Sequence, residues 1–153
     1  MTLKKKSEKS IRQFLIDTNL YIAAIKNPKK ETSSLKLLLE LINNTTIEFI
    51  GNEFLIMEME KYAEIFESKR GKEIFRKLIG KNKVVDVDEK FLRLCKPYLP
   101  KDELIDVYHA ATCLQEDAIL ITNDKHFDKI KDNKIIEVWS ISKAIVELGI
   151  RTT

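Results

Sequence analysis

Cysteine, proline and glycine are all scarce in this chain. Of its 153 residues only two are Cys (Cys95 and Cys113), three are Pro and four are Gly. Two isolated thiols with no CxxC pair exclude a disulfide framework and a zinc knuckle, and they suit a reducing cytoplasm. So few turn-formers exclude a collagenous or low-complexity chain and require mostly short loops. Long apolar runs are missing too. No stretch approaches the ~18 apolar residues of a membrane span, and Glu8, Arg12 and Asp17 interrupt the N-terminal region before any signal-like segment forms. Nor is there a large surplus of one charge: a net charge of +3 is well below that of a dedicated nucleic-acid coat.

What remains is 44% hydrophobic and 33% charged, the balance of an ordered globule long enough to bury a core without staples. Residues 1–11 are polar and basic and read as a flexible lead-in; residues 12–150 read as a single domain. RQFLID (12–17) reads as a first strand, and NLYIAAIKN as a helix ended by Asn27-Pro28. Leu35, Leu38, Leu39 and Ile42 repeat at helical spacing behind a Thr32 or Ser33 cap. IEFIG (47–51) is a second strand. A helix follows from about Glu53 to Lys69, with Leu55, Met59, Tyr62 and Phe66 as its stripe, and Gly71 separates it from a shorter basic helix. KVVDV (83–87) is a third strand, and Asp88 caps a helix that Pro97 bends or ends. A helix from Asp102 to about Asp117, the strand AILIT, a turn near His126, the strand IIEVW (135–139) and a helix capped by Ser140 or Ser142 complete the chain. Alternating strands and helices, with strands apolar on both faces, predict a mainly parallel sheet covered on both sides: a three-layer α/β/α sandwich.

In such sheets functional groups collect beyond the carboxyl ends of strands, where Asp17 and Asp124 both fall. Each also suits the simpler role of helix N-cap. Asp106 is harder to explain so simply, because it lies one turn inside a helix among Ile105, Val107, Ala110 and Ala111. Asp102 is the expected cap of that helix or an additional carboxylate of a site. A carboxylate on an otherwise buried face must be paired, protonated or metal-bound. In NEFLIMEMEKY, Glu58 and Glu60 compete. Helical phase aligns Glu58 with Phe54, Leu55 and Ile65 and Glu60 with Glu64 and Glu67, favouring Glu58 for the buried side. His109 reads as a packing or supporting residue, His126 as a turn residue and Trp139 as core.

These segments together resemble the PIN-domain family, nucleases typified by the toxins of VapBC toxin–antitoxin pairs. FLIDTN, NEFLIMEME, DVYHAATCL and LITNDKHF match its motifs in order across residues 13–128. Carried over residue by residue, the resemblance implies an acidic, metal-binding catalytic site of Asp17, Glu58, Asp106 and Asp124, supported by Asn19 and Thr122, with Asp102 as an extra acid. It also implies a Rossmann-like sandwich, divalent-metal-dependent RNA cleavage, a homodimer and a small antitoxin partner. The cofactor expected is Mg²⁺ or Mn²⁺, since these hard cations choose carboxylate and water oxygens, and carboxylates converging without a cation would repel. Single-stranded RNA is the expected substrate, with Lys69, Arg70, Lys72 and Lys125 as candidates for tracking its backbone. The alternative is a catalytically silent PIN-like module that binds RNA or protein.

Overall fold

The structure, a computed structural model, describes residues 12–27 and 29–151. The expected basic lead-in at 1–11 and the expected stop at Pro28 lie outside the described residues. Strand β1 (Arg12–Ile16) leads to α1 (Thr18–Ile25), α2 (Ser33–Asn43) and β2 (Ile47–Gly51). Next come α3 (Glu53–Phe66), α4 (Lys69–Lys81), β3 (Asn82–Val84), α5 (Glu89–Cys95) and a 3₁₀ turn over Lys96–Tyr98. Helix α6 (Leu104–Glu116), β4 (Ile119–Ile121), a 3₁₀ turn over Lys125–Phe127, α7 (Asp128–Asp132), β5 (Val138–Trp139) and α8 (Ile141–Glu147) follow.

The five strands form one sheet in the order β3-β2-β1-β4-β5, with every neighbouring pair parallel. Successive strand residues point to opposite faces, yet Phe14, Leu15 and Ile16 are all buried, as are Leu120 and Ile121. Helices therefore cover both faces, which gives the predicted sandwich. Phe14 sits opposite Phe49 of β2 on one side and Ile119 of β4 on the other, placing β1 at the centre. The chain moves outward from β1 through β2 to β3, then returns to lay β4 on the free side of β1. This reversal opens a crevice beyond the carboxyl ends of β1 and β4.

Side-chain caps fix most of the helix starts. Thr32, Asn52, Ser68, Asp88 and Ser140 each accept a backbone N–H from the first turn that follows. Three expectations need correction. The break expected at Gly71 lies at Glu67, which adopts left-handed backbone, and at Ser68, whose hydroxyl accepts the Gly71 N–H at 2.8 Å. Gly71 belongs inside α4 because a Cβ there would meet Ser68 Oγ at 2.8 Å and Ile25 Cδ1 at 3.3 Å. The Tyr21 hydroxyl donates to its carbonyl at 3.0 Å, tying α1 to α4. Asp102 does not cap α6: it has φ 74 and is exposed, and Glu103 holds the cap position without a side-chain bond. Strands β3 and β5 are shorter than KVVDV and IIEVW suggested, since only Asn82–Val84 and Val138–Trp139 join the ladder.

Candidate functional site

Four separate segments meet in the crevice. A cavity of about 200 Å³ is lined by Asp17, Thr18, Asn19, Glu58, Asp106 and Asp124, with Glu103, His109 and the apolar Ile22, Tyr62 and Ile105 completing its wall. Asp17 follows β1 directly, and its backbone N–H donates to Ile121 O at 3.0 Å, so the end of β1 is fastened to the end of β4. The side chains repeat that link. Thr122 Oγ1 donates to Asp17 Oδ2 at 2.6 Å and accepts the Asp124 N–H at 3.0 Å. Thus Thr122, though itself only a hydroxyl, sets the spacing of two carboxylates.

Asp17 is 8% exposed, and burial pushes its carboxyl above the ordinary value against the opposing hydrogen bond from Thr122. Burial likewise raises Asp106, opposed by the His126 ring, whose Nδ1 lies 2.8 Å from Asp106 Oδ2. The same ring nitrogen is 3.5 Å from Asp124 Oδ1, and the two carboxylates hold the His126 imidazole above its usual range, Asp106 foremost. Asp124 keeps its cap role as well, since its Oδ1 accepts the His126 N–H at 2.9 Å.

Glu58 reaches the cavity from α3 while Glu60 is exposed on the same helix. Thr18 Oγ1 donates to Glu58 Oε1 at 3.0 Å, and His109 Nε2 lies 3.7 Å from the same oxygen. His109 and Thr18 hold the Glu58 carboxyl below its ordinary value, with His109 the larger influence and burial opposing both. The phase argument that favoured Glu58 used Ile65 as a buried neighbour; Ile65 is 57% exposed, because the helix turns its Leu55–Met59–Ala63 row to the core instead.

Some expected residues stay apart. Asp102 is not among the residues lining the cavity, nor are Lys69, Arg70 and Lys72, which are exposed on the first turn of α4. Lys125 is exposed beside Asp124. Lys81, the last residue of α4, is turned to the fold: its ammonium donates to the carbonyls of Leu41, Ile42 and Asn44 at the end of α2.

Beyond its apolar wall, the cavity is lined or contacted by four residues that the sequence-derived site left out: Thr18, Glu103, His109, read only as a packing or supporting residue, and His126. Glu103 was detectable in principle, being one helical turn before Asp106. Thr18 stands next to Asp17, but its Glu58 contact spans 40 positions and has no local signature.

The donor set suits a hard divalent cation, because carboxylate oxygens dominate and two of the acids are raised by burial, a cost that bound positive charge removes. Among the described residues Glu103, Asp106 and His126 also bring one ligating atom each within 4.8 Å of one another. An imidazole in that set is better tolerated by Mn²⁺ than by Mg²⁺.

Comparison with known proteins gives the same architecture. VapBC-1 from nontypeable Haemophilus influenzae is similar at 21% identity, with 86% of this chain and 99% of that chain covered and a TM-score of 0.56. VapBC2 from Rickettsia felis, solved bound to a DNA fragment from their promoter, is similar at 19% identity over 84% of this chain and 98% of that one, with a TM-score of 0.55. FitAcB from Neisseria gonorrhoeae is similar at 17% identity over 84% and 98%, with a TM-score of 0.56. Identities this low establish the shared fold. No curated protein matches the sequence. The PIN domain pattern itself matches residues 14–133, from the middle of β1 past the end of α7 and through every acid-bearing segment of the crevice, and the chain therefore belongs to the PIN domain family.

Proposed function

We propose that the protein is a divalent-metal-dependent endoribonuclease that hydrolyses RNA phosphodiester bonds. The observation that carries this reading is the convergence of Asp17, Glu58, Asp106 and Asp124 on one cavity from segments far apart in the chain. Asp17, Asp106 and Asp124 would hold one or two Mg²⁺ or Mn²⁺ ions, and Glu58 would contribute a ligand oxygen or orient the attacking water. When bound, such a cation lowers the pKa of water and stabilises charge on the phosphoryl and leaving oxygens.

The chain's own residues do the positioning. Thr122 fixes the Asp17 carboxylate and the backbone carrying Asp124, so both acids are oriented before substrate arrives. Glu58, held below its ordinary pKa, remains ionised and is a better acceptor of a hydrogen bond from water than of its proton. Thr18 and His109 both approach Oε1 of Glu58, which leaves Oε2 for that role. Asn19, exposed at the rim, and Lys125 beside Asp124 are suited to contact phosphate, with Lys69, Arg70 and Lys72 extending the basic surface. Asp102 is assigned no catalytic part. The family resemblance extends the reading to the toxin of a toxin–antitoxin pair: a cytoplasmic homodimer with a small antitoxin protein as partner.

The test is cleavage of single-stranded RNA by purified protein in Mn²⁺ or Mg²⁺, with EDTA and a folded Asp106→Asn variant as controls. Cutting lost in both controls is the expected result. Cutting that survives Asp106→Asn places the activity elsewhere. Failure to cut varied RNAs, with metal bound, turns the reading to a binding module.

A further inference from the structure

His109 is 2% exposed, and its two ring nitrogens are treated very differently. Nδ1 lies 3.1 Å from Asn52 Nδ2. The orientation of the Asn52 amide is fixed by its other contacts, because Oδ1 accepts the Leu55 N–H at 3.0 Å to cap α3. Its Nδ2 therefore faces His109, and it also donates to Thr112 Oγ1 at 2.9 Å. Thr112 in turn uses its own proton on Tyr108 O at 2.7 Å, so its oxygen must accept from Asn52. With every other role taken, Nδ1 is an acceptor and the ring proton resides on Nε2.

That Nε2–H has no hydrogen-bond partner although it is buried. A histidine serving only to fill the core would leave a desolvated donor unpaired, which is unfavourable. Its neighbour is Glu58 Oε1 at 3.7 Å, on the wall of the acid cavity that His109 also lines. A side-chain shift of about 0.7 Å brings that pair to ordinary hydrogen-bond length.

We propose that Asn52 locks His109 in the Nε2–H tautomer so that His109 acts as a positioning residue, aiming its N–H into the acid cavity to hold one oxygen of Glu58. This rests on the nuclease reading of the same cavity. Thr18 holds Oε1 from the α1 side and His109 from the α6 side, so the carboxylate plane is set by two donors from different helices. The relay runs from the α3 cap through the imidazole back to a side chain on α3. Asn52 thereby couples the start of that helix to the orientation of its own acid one and a half turns later.

Three measurements on the full chain test this. Ring ¹⁵N NMR of metal-free protein reads the tautomer directly, and His126, being 43% exposed, is told apart by solvent exchange. Mn²⁺ titration reads the site without substrate. Steady-state cleavage in Mn²⁺ separates kcat from KM. The wild type is expected to show the Nε2–H tautomer alone. His109→Asn can accept from Asn52 but cannot reach the cavity, and it should lower Mn²⁺ affinity or kcat by about 10–100-fold, the usual range for partners that orient ligands, with KM for RNA little changed. His109→Gln carries an amide N–H to the position of Nε2 and should recover most of that loss. An Nδ1–H tautomer in the wild type overturns the proposal, as does a folded His109→Asn protein with wild-type Mn²⁺ affinity and kcat. If His109→Asn does not fold, the tautomer and the His109→Gln protein still decide. A wild type that shows the Nε2–H tautomer and binds Mn²⁺ more tightly than His109→Asn, yet cuts no RNA, overturns the nuclease reading and leaves the relay standing.

Discussion

Among the described residues two hollows lie at opposite ends of the sheet, and the larger of them is the less informative. At the amino ends of β1 and β4 lies a cavity of about 680 Å³, lined by Arg12, Lys131, Lys134 and Lys143 together with Asp117, Glu137 and apolar side chains. At the carboxyl ends lies the acid cavity of about 200 Å³. Charges in the larger hollow are of both signs, and two of them are engaged ordinarily: the Arg12 guanidinium lies 5.2 Å over the Trp139 ring, and Glu137 accepts the Trp139 indole N–H at 2.7 Å. In the smaller one, charges of a single sign are pressed together, two acids are raised by burial and a buried donor lacks a partner. Unresolved electrostatics of that kind mark a site more reliably than volume does.

Neutralising an acid of the smaller cavity should have the largest effect and should separate activity from stability. Asp17→Asn is expected to lower RNA cleavage by more than about 100-fold, beyond the range typical of residues that only orient ligands. Its melting temperature in EDTA should nevertheless equal or exceed that of wild type, since a carboxylate disfavoured by burial is gone and the amide oxygen can still accept from Thr122. A strongly lowered melting temperature would contradict the electrostatic account. Glu58→Gln should reduce cleavage by about 10–100-fold while Glu60→Gln, on the exposed face, changes it little. Equal losses in the two would dissolve the distinction between the two faces of α3.

Thr122→Val probes the link between strands. Removing a buried donor to a carboxylate should cost about 1.5–3 kcal/mol in urea unfolding, and it should weaken Mn²⁺ binding because Asp17 and the Asp124 backbone lose their common anchor.

The acids also give the metal-free protein a defined pH response. Asp17 binds its proton more readily when folded than when unfolded, so its contribution to stability is lost as pH rises from its ordinary 3.8 through its higher folded value. Asp106 acts in the same sense, whereas the contribution of Glu58 is present above its ordinary 4.5 and lost as pH falls. Subtracting the Asp17→Asn pH profile from that of wild type isolates one term, and the difference should fall with rising pH in EDTA. Mn²⁺ should reverse that fall, measured by melting temperature. The smallest effect is expected at the other end of the sheet, where Lys131→Ala and Lys143→Ala should leave cleavage within about twofold, as surface changes remote from a site usually do. A large loss there would make the bigger hollow part of the RNA path.

The sheet was legible in the sequence because its strands are short apolar runs punctuated by caps, and both features are local. The strand-end acids Asp17 and Asp124 could be picked out for the same reason, and Asp106 because a charge among Val107, Ala110 and Ala111 conflicts with its surroundings. Local signals misled at Gly71, where a close approach between helices demanded glycine inside α4, and at Asp102, where left-handed backbone moved the start of α6 onward. Thr122 was named as a supporting group through the family resemblance alone, and the contacts that order the cavity have no local signature. The Thr122–Asp17 bond joins residues 105 positions apart, and the Asn52–His109 contact joins residues 57 apart. Hydroxyls, amides and imidazoles at such separations become partners only after the strands have chosen their neighbours.

The insertion of β4 beside β1 also governs when the cavity can exist during synthesis. A growing chain that has released β1 through α3 carries Asp17 and Glu58, but the other flank of β1 is still empty. Asp106 arrives on α6, and Thr122 and Asp124 only after β4. A nascent chain, surrounded by the RNA of the ribosome that makes it, therefore holds an incomplete set of acids until the segment that follows β4 has emerged.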